Sequence, residues 1–393
     1  MSNKKLIILG IVAACMIVWA VVQSRISNRP RTAPDTPAYL IQGLNPARIG
    51  KIVVGTGEDA VTLKRRGRTF VVANKDNYPA KTGEINNLIT SCLGIQTRQF
   101  YTDDPDNHKD LGVTEADARN VVEFWTPEPN STLLTGVVVG KYKEQGQGTY
   151  VRMATSDKVY VAQEAPWIRS GAMDYIDQKL VVTERENIES VTVTSLNGQY
   201  TLKAKEDGDG VVLENIPAGK KLKDSDAKSV LQALWDTRFT DVRRKSADSN
   251  DLTFDRKYVG RLKDSTVYTF TIAKKDDKAY VTCQAKFTEG RPTKIGKTES
   301  PEQLKEKEAK LLADDNAKQF TAKHQGWIYE IAEWKAKNLT KELADLLEDV
   351  EEEKEEEKKE EAKKQEPEKT KEPEQKPQST DKPDDPNQVT PES

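Results

Sequence analysis

The spacing of apolar residues changes character several times along the chain. From Leu6 to Val22, "LIILGIVAACMIVWAVV" runs seventeen residues without a charge or an amide. At 1.5 Å per residue such a helix spans roughly 25 Å, near the minimum for a bilayer core of about 30 Å. From residue 47 onward the pattern shifts to short runs rich in Val, Tyr, Thr and Phe, several alternating apolar with polar. Alternation of period two predicts half-buried strands. Gly67, Asp207-Gly208-Asp209-Gly210 and Lys274 to Asp277 separate these runs as turns, and tight turns predict antiparallel pairing. Helical spacing interrupts the strands. "TGEINNLITSCL" predicts a helix capped by Thr82, with Ile85, Leu88, Ile89 and Cys92 on one face. "DSDAKSVLQAL" repeats the pattern from Asp224, with Ala227, Val230, Leu231 and Leu234. A third helix starts at Ser300, with Pro301 in first position and Gln303 closing a capping box; Leu304, Leu311 and Leu312 are its thin apolar face.

The strand and helix runs occur twice. Ile49 corresponds to Ile188 and "VTLK" from Val61 to "YTLK" from Tyr200, both 139 residues on. Val71-Val72 corresponds to Val211-Val212, and Pro79-Ala80 to Pro217-Ala218. "NSTLLTGVVVGK" from Asn130 then matches "DSTVYTFTIAKK" from Asp264, "TYVRM" from Thr149 matches "AYVTC" from Ala279, and "VYVAQEAPW" from Val159 resembles "IYEIAEW" from Ile328. A long self-match that keeps one order along the chain predicts a duplicated unit. The expected fold is therefore α+β: two tandem antiparallel-sheet-plus-helix units behind a transmembrane helix. The expected boundaries are 1–26 for the anchor, 27–46 for a Pro/Thr/Ala-rich linker and 47–183 for the first unit. The second unit takes 184–347, with a helical insertion at 289–325, and 348–393 is a charged Glu/Lys/Pro-rich tail. From Glu348 to Lys364 the tail predicts a solvated helical extension with Glu355–Lys359 and Glu360–Lys364 pairs, followed by a disordered, proline-rich end.

Composition adds limits. The net charge of −3 gives no electrostatic case for nucleic acid. The three cysteines form no CxxC pair, which excludes the usual zinc and thioredoxin-like motifs. Cys92 and Cys283 are expected as buried thiols, with pairing between them left open. Cys15 ends Val12-Ala13-Ala14-Cys15, a lipobox-like tetrad, so it is the alternative lipid acceptor; Met16 to Val22 stays apolar, which favours an uncleaved anchor. Leu6, Ile11, Cys15, Trp19 and Val22 mark that anchor. Lys4 and Lys5 on one side face Arg25, Arg29 and Arg31 on the other, so charge leaves its orientation open.

Chemistry is sparse. His108 and His324 are the only histidines, lie far apart and have no ligand-spaced neighbour, so both are expected at the surface. GxSxG, HExxH, GxGxxG and P-loop patterns are missing. No catalytic, metal-binding or cofactor-binding residue is assigned. "KRRGR" from Lys64 to Arg68 is expected as an exposed turn, able at most to touch lipid headgroups or an acidic partner.

The anchor, the "VTLKRRGRTFVV" run leading into a helix, the "VVVGK", "GTYVRM" and "KVYVA" series and the closing "GWIYEIAEW" together resemble a bacterial family filed as domain of unknown function 4340. The resemblance covers most of Ala47 to Leu347. It implies a single-pass protein of the bacterial inner membrane with its main domain outside the cytoplasm, and, by the context of some members, an accessory part of an ABC-type transport system. The expected function is a non-enzymatic interaction module with transporter subunits or another envelope protein as partner. Alternatives are a module binding a glycan, peptide or lipid in a groove between the units, or an unrecognised hydrolase.

Overall fold

The computed structural model describes residues 38–144, 147–205, 210–246, 251–289 and 300–350, together with Met16 and Trp19. Within them the alternating runs form two large antiparallel sheets with a few helices, an α+β arrangement. In chain order the strands of the first sheet are β1 (Ala38–Tyr39), β2 (Lys51–Val54), β3 (Val61–Arg66), β4 (Thr69–Val72), β5 (Tyr78–Pro79), β6 (Gln96–Thr102), β7 (Asn120–Trp125), β8 (Leu133–Tyr142), β9 (Thr149–Met153) and β10 (Val159–Ala162). Then follow β11 (Lys179–Val181), β12 (Ile188–Ser195), β13 (Gly198–Ala204), β14 (Val211–Leu213), β15 (Lys220–Leu222), β16 (Thr237–Arg244), β17 (Phe254–Leu262), β18 (Thr266–Lys275), β19 (Lys278–Phe287), β20 (Trp327–Ile331) and β21 (Leu347–Asp349).

The spatial order of the first sheet is β1-β6-β10-β9-β8-β7-β2-β3-β4-β5. That of the second is β11-β16-β20-β19-β18-β17-β12-β13-β14, the same path with every label raised by ten. β15 instead pairs with β21. Register corrects one sequence match. Val72 lies opposite Leu63, and Leu213 lies opposite Leu202, so Val71 shares its position with Val212 rather than with Val211.

Helix α1 (Thr82–Leu93) packs through Ile85, Leu88, Ile89 and Cys92, the face its periodicity predicts. α3 (Asp224–Leu231) packs through Ala227, Val230 and Leu231; between the two in sequence lies the four-residue α2 (His108–Leu111). The expected caps shift by one residue: Lys81 and Lys223 hold the extended cap positions, and Thr82 and Asp224 are already helical. The inner faces of both sheets and these helices share one apolar core, continuous from Ile52 and Phe124 to Phe270 and Tyr329. On the outer face of the first sheet, the segment 105–118 covers Val121, Val138, Val159 and Val161 through Leu111 and Val113. Gly140 permits this close approach, since a Cβ there would meet Leu111 O at 2.5 Å.

The insertion forms α4 (Pro301–His324), with the capping box read from sequence: Ser300 Oγ accepts from Gln303 N and Gln303 Oε1 accepts from Ser300 N. Its packed face is not the leucine stripe. Leu304 and Leu312 are exposed, whereas Ala313, Ala317 and His324 are buried and Phe320 rests edge-on against Tyr268 at 5.0 Å. Small side chains let the helix lie close to β19. β20 pairs with β19 only over Ala279–Val281, which leaves the backbone of Ala285 open on that side. Thr321 Oγ1 accepts from Ala285 N at 2.9 Å and donates to Ala285 O at 2.7 Å, closing it.

Two expected boundaries move. Residues 38–46, assigned to the linker, belong to the fold: β1 pairs with Gln96 and Thr97, and Leu40 and Ile41 are buried. Glu348 and Asp349, assigned to a helical tail, lie in β21, because β15 offers them an edge. The rest of the tail, residues 351–393, lies outside the described residues, as do Leu6, Ile11, Cys15 and Val22 of the expected anchor. Trp19 is helical and exposed. Among the described residues no helix is long and apolar enough to cross a membrane.

Candidate functional site

Both histidines, Cys92, Cys283 and Lys335 are buried. His108 is buried rather than exposed, and its Nε2 bonds Asp157 O at 2.9 Å, fastening the 105–118 segment to the turn before β10. His324 is also buried, with Nδ1 2.7 Å from Tyr329 Oη. No local apolar pattern marks either ring: His108 is fastened to Asp157, 49 residues on, and His324 is covered by β20, which follows it. His324 lines a cleft of about 300 Å³ together with Cys283, Thr282 and Trp327. Burial pushes the Cys283 thiol up to about 12 and the His324 imidazole down to about 4. A nucleophilic thiolate paired with an imidazolium needs the opposite shifts. Cys92 is a free buried thiol, raised to about 12 by desolvation, and Cys283 is likewise free. Lys335, buried at the end of the turn Gln232–Leu234, donates to Ala233 O and Trp235 O, and burial lowers it to about 8. It satisfies helix-end carbonyls and does not face a cleft. Among the described residues no group of three or more His, Cys, Asp or Glu is gathered to hold a metal ion.

The space between the two sheets is filled. Tyr78 of β5 inserts against Trp327 at 4.8 Å, Phe239 at 5.9 Å and Tyr329 at 6.2 Å between ring centres, all near edge-to-face. Tyr78 Oη and Tyr329 Oη lie 3.4 Å apart. Around this aromatic joint, Lys75 pairs with Asp241 at 2.6 Å and Asp76 accepts from Arg244 N at 2.8 Å. A cleft of about 570 Å³ lies elsewhere, at the far end of the second sheet, between Gly198, Tyr200, Pro217, Glu342 and Leu347.

The basic turn is also structural in part. Arg65 Nε donates to Ile49 O at 2.6 Å and its guanidinium stacks on Phe70, and Lys64 pairs with Glu128. Arg243 and Arg244 lie over Tyr280 and Trp327.

What remains at the surface is an aromatic edge. β1 covers only Gln96 and Thr97 of β6, so Arg98 to Thr102 form an outer edge with no strand beside it among the described residues. Phe100 and Tyr101 are both exposed there. Successive strand residues point to opposite faces. Tyr101 accordingly contacts Tyr150 on the outer face, at 4.8 Å, and Phe100 contacts Tyr160 on the inner face, at 5.9 Å. On the outer side Tyr101, Tyr142, Tyr150, Lys141 and Lys143 line a groove of about 360 Å³, with Arg119 stacked 4.2 Å from the Tyr142 ring. Burial and the neighbouring Tyr101 raise the Tyr150 hydroxyl to about 12, so it stays a neutral donor. The signal that sequence reading passed over was the adjacent pair Phe100-Tyr101 in a strand: alternation buries one face, and two neighbouring aromatics cannot both take it.

No curated protein and no solved structure matches the chain. Residues 71–257, which run from within β4 into the first half of β17 and so include the aromatic edge, match the family described as "Domain of unknown function (DUF4340)", and the chain's resemblance to that family is thereby borne out.

Proposed function

We propose that this protein is a non-enzymatic interaction module of the bacterial envelope. In this reading two copies of one α+β unit stand outside the inner membrane on the Leu6–Val22 anchor and dock to a protein partner such as a subunit of an ABC-type transport system. The observation that carries it is the exposed edge of β6 with its groove of Tyr101, Tyr142 and Tyr150, rimmed by Lys141 and Lys143 and by Asp110 and Glu144. Tyrosines among charged groups of both signs supply rigid contact area with polar tips, the composition of interface anchors. The shared strand order of the two sheets supports the two-copy reading. The filled joint around Tyr78 weighs against a ligand groove between the units.

A photo-crosslinking residue placed at Tyr101 or Tyr142, in full-length protein in its native membranes, is expected to capture a transporter or other envelope subunit. The same probe at Leu312, exposed on α4, is expected to capture nothing. Equal capture from all three positions, or none from the two tyrosine positions, overturns the proposal.

A further inference from the structure

The joint between the sheets has two sides, and the two-copy reading above implies that each unit carries both. On the inserting side stands Tyr78, 2% exposed. On the receiving side stand Phe239 and Tyr329, 1% and 0% exposed. One half of each kind is left over. Ile216 precedes Pro217 as Tyr78 precedes Pro79, yet it is 48% exposed. At the other end, Tyr160 lies opposite Val151 as Tyr329 lies opposite Val281, on the same core-facing side. Tyr160 is only half-buried, and its neighbour Phe100 is 49% exposed.

We propose that the inner face of β6 and β10 receives the Ile216 end of a second copy of this chain, so that molecules join head to tail through a contact patterned on the one Tyr78 forms inside each molecule. The occupant is argued from the internal joint. There, the β16 edge is closed by Asp76, which accepts from Arg244 N, while Tyr78 fills the aromatic socket beside it. The corresponding edge of β6 beyond Thr97 has neither a strand nor such a loop against it among the described residues. Exposed apolar groups stand at both leftover ends, in positions that are buried where the joint is made. β21 closes β15, and Ile216 is exposed among the described residues. A contact between unlike surfaces is heterologous, and it extends rather than closing on a dimer unless the rotation returns to the start.

This inference rests on the two-copy reading but not on the partner. Phe100 faces the core side of β6 and Tyr101 the outer side, so loss of self-association leaves capture at Tyr101 untouched. The test is sedimentation of the full-length chain in mild detergent across a concentration series. Wild type is expected to grow with concentration beyond a dimer. Phe100→Glu and Ile216→Glu, each at a half-exposed position and checked for folding by circular dichroism, are each expected to stay monomeric. An equimolar mixture of the two variants is expected to give a dimer that does not grow, because each supplies the end the other lacks. Wild type that remains monomeric throughout overturns the proposal. So does association lost with Phe100→Glu but kept with Ile216→Glu, which marks a two-fold edge-to-edge dimer. Failure of the mixed variants to pair overturns it as well.

Discussion

At the scale of single residues, burial decides protonation. His324 stays neutral in the fold because desolvation outweighs its other influences, with Lys323 adding to the effect and Asp177 opposing it. The unfolded chain takes up that proton near pH 6.5, whereas the folded state resists to about 4. The stability this gap provides is therefore full above pH 6.5 and is lost as pH falls towards 4. The gap corresponds to roughly 3 kcal/mol at full extent. Unfolding free energy measured from pH 7 to pH 4 should fall in wild type more steeply than in His324→Gln, and parallel curves would refute this. Cys92 and Cys283 should resist alkylation at pH 8 until the protein unfolds, since both thiols are buried and stay protonated well above that pH. Mass-resolved labelling of the native protein checks it.

At the scale of elements, α4 shows why helix periodicity alone was not enough. Its leucines read as the apolar face, but the stripe that fits against β19 consists of Ala313, Ala317, Phe320 and Thr321, because a helix approaching a sheet edge needs small residues and a hydroxyl. Phe320→Ala should cost about 2 kcal/mol or more, while Leu304→Ala should stay within about 0.5 kcal/mol. Denaturant titration separates the two, and equal losses would restore the leucine face. The capping box at Ser300 was legible from four residues, since its partners are local. The exact starts of α1 and α3 were off by one residue, because Thr82 and Asp224 carry cap-forming side chains but their backbones are already helical.

At the scale of the whole molecule, the joint at Tyr78 binds the two sheets into one core. Tyr78→Ala removes a buried ring that contacts three other aromatics, so it should cost about 3 kcal/mol or more. Wild type is expected to unfold in one calorimetric transition, and the alanine variant in two, as each sheet loses its hold on the other. Tyr78→Phe, which keeps the ring and loses only the contact to Tyr329 Oη, should cost about 1 kcal/mol and leave one transition. A single transition in the alanine variant would mean that the sheets cooperate through other contacts.

The sequence by itself determined what depends on neighbours in the chain. Period-two alternation set the strands, and the i, i+3, i+4 spacing set the faces of α1 and α3. Register, reach and exposure were decided only in three dimensions. The buried state of His108, the inclusion of Leu40 and Ile41, the pairing of β21 with β15 and the contacts of Phe100 and Tyr101 all depend on groups that meet from more than forty residues away. His324 meets Tyr329 only five residues on, and Tyr329 in turn meets Tyr78, 251 residues away. Local pattern records which side of a strand is apolar; it holds no record of what arrives to cover it.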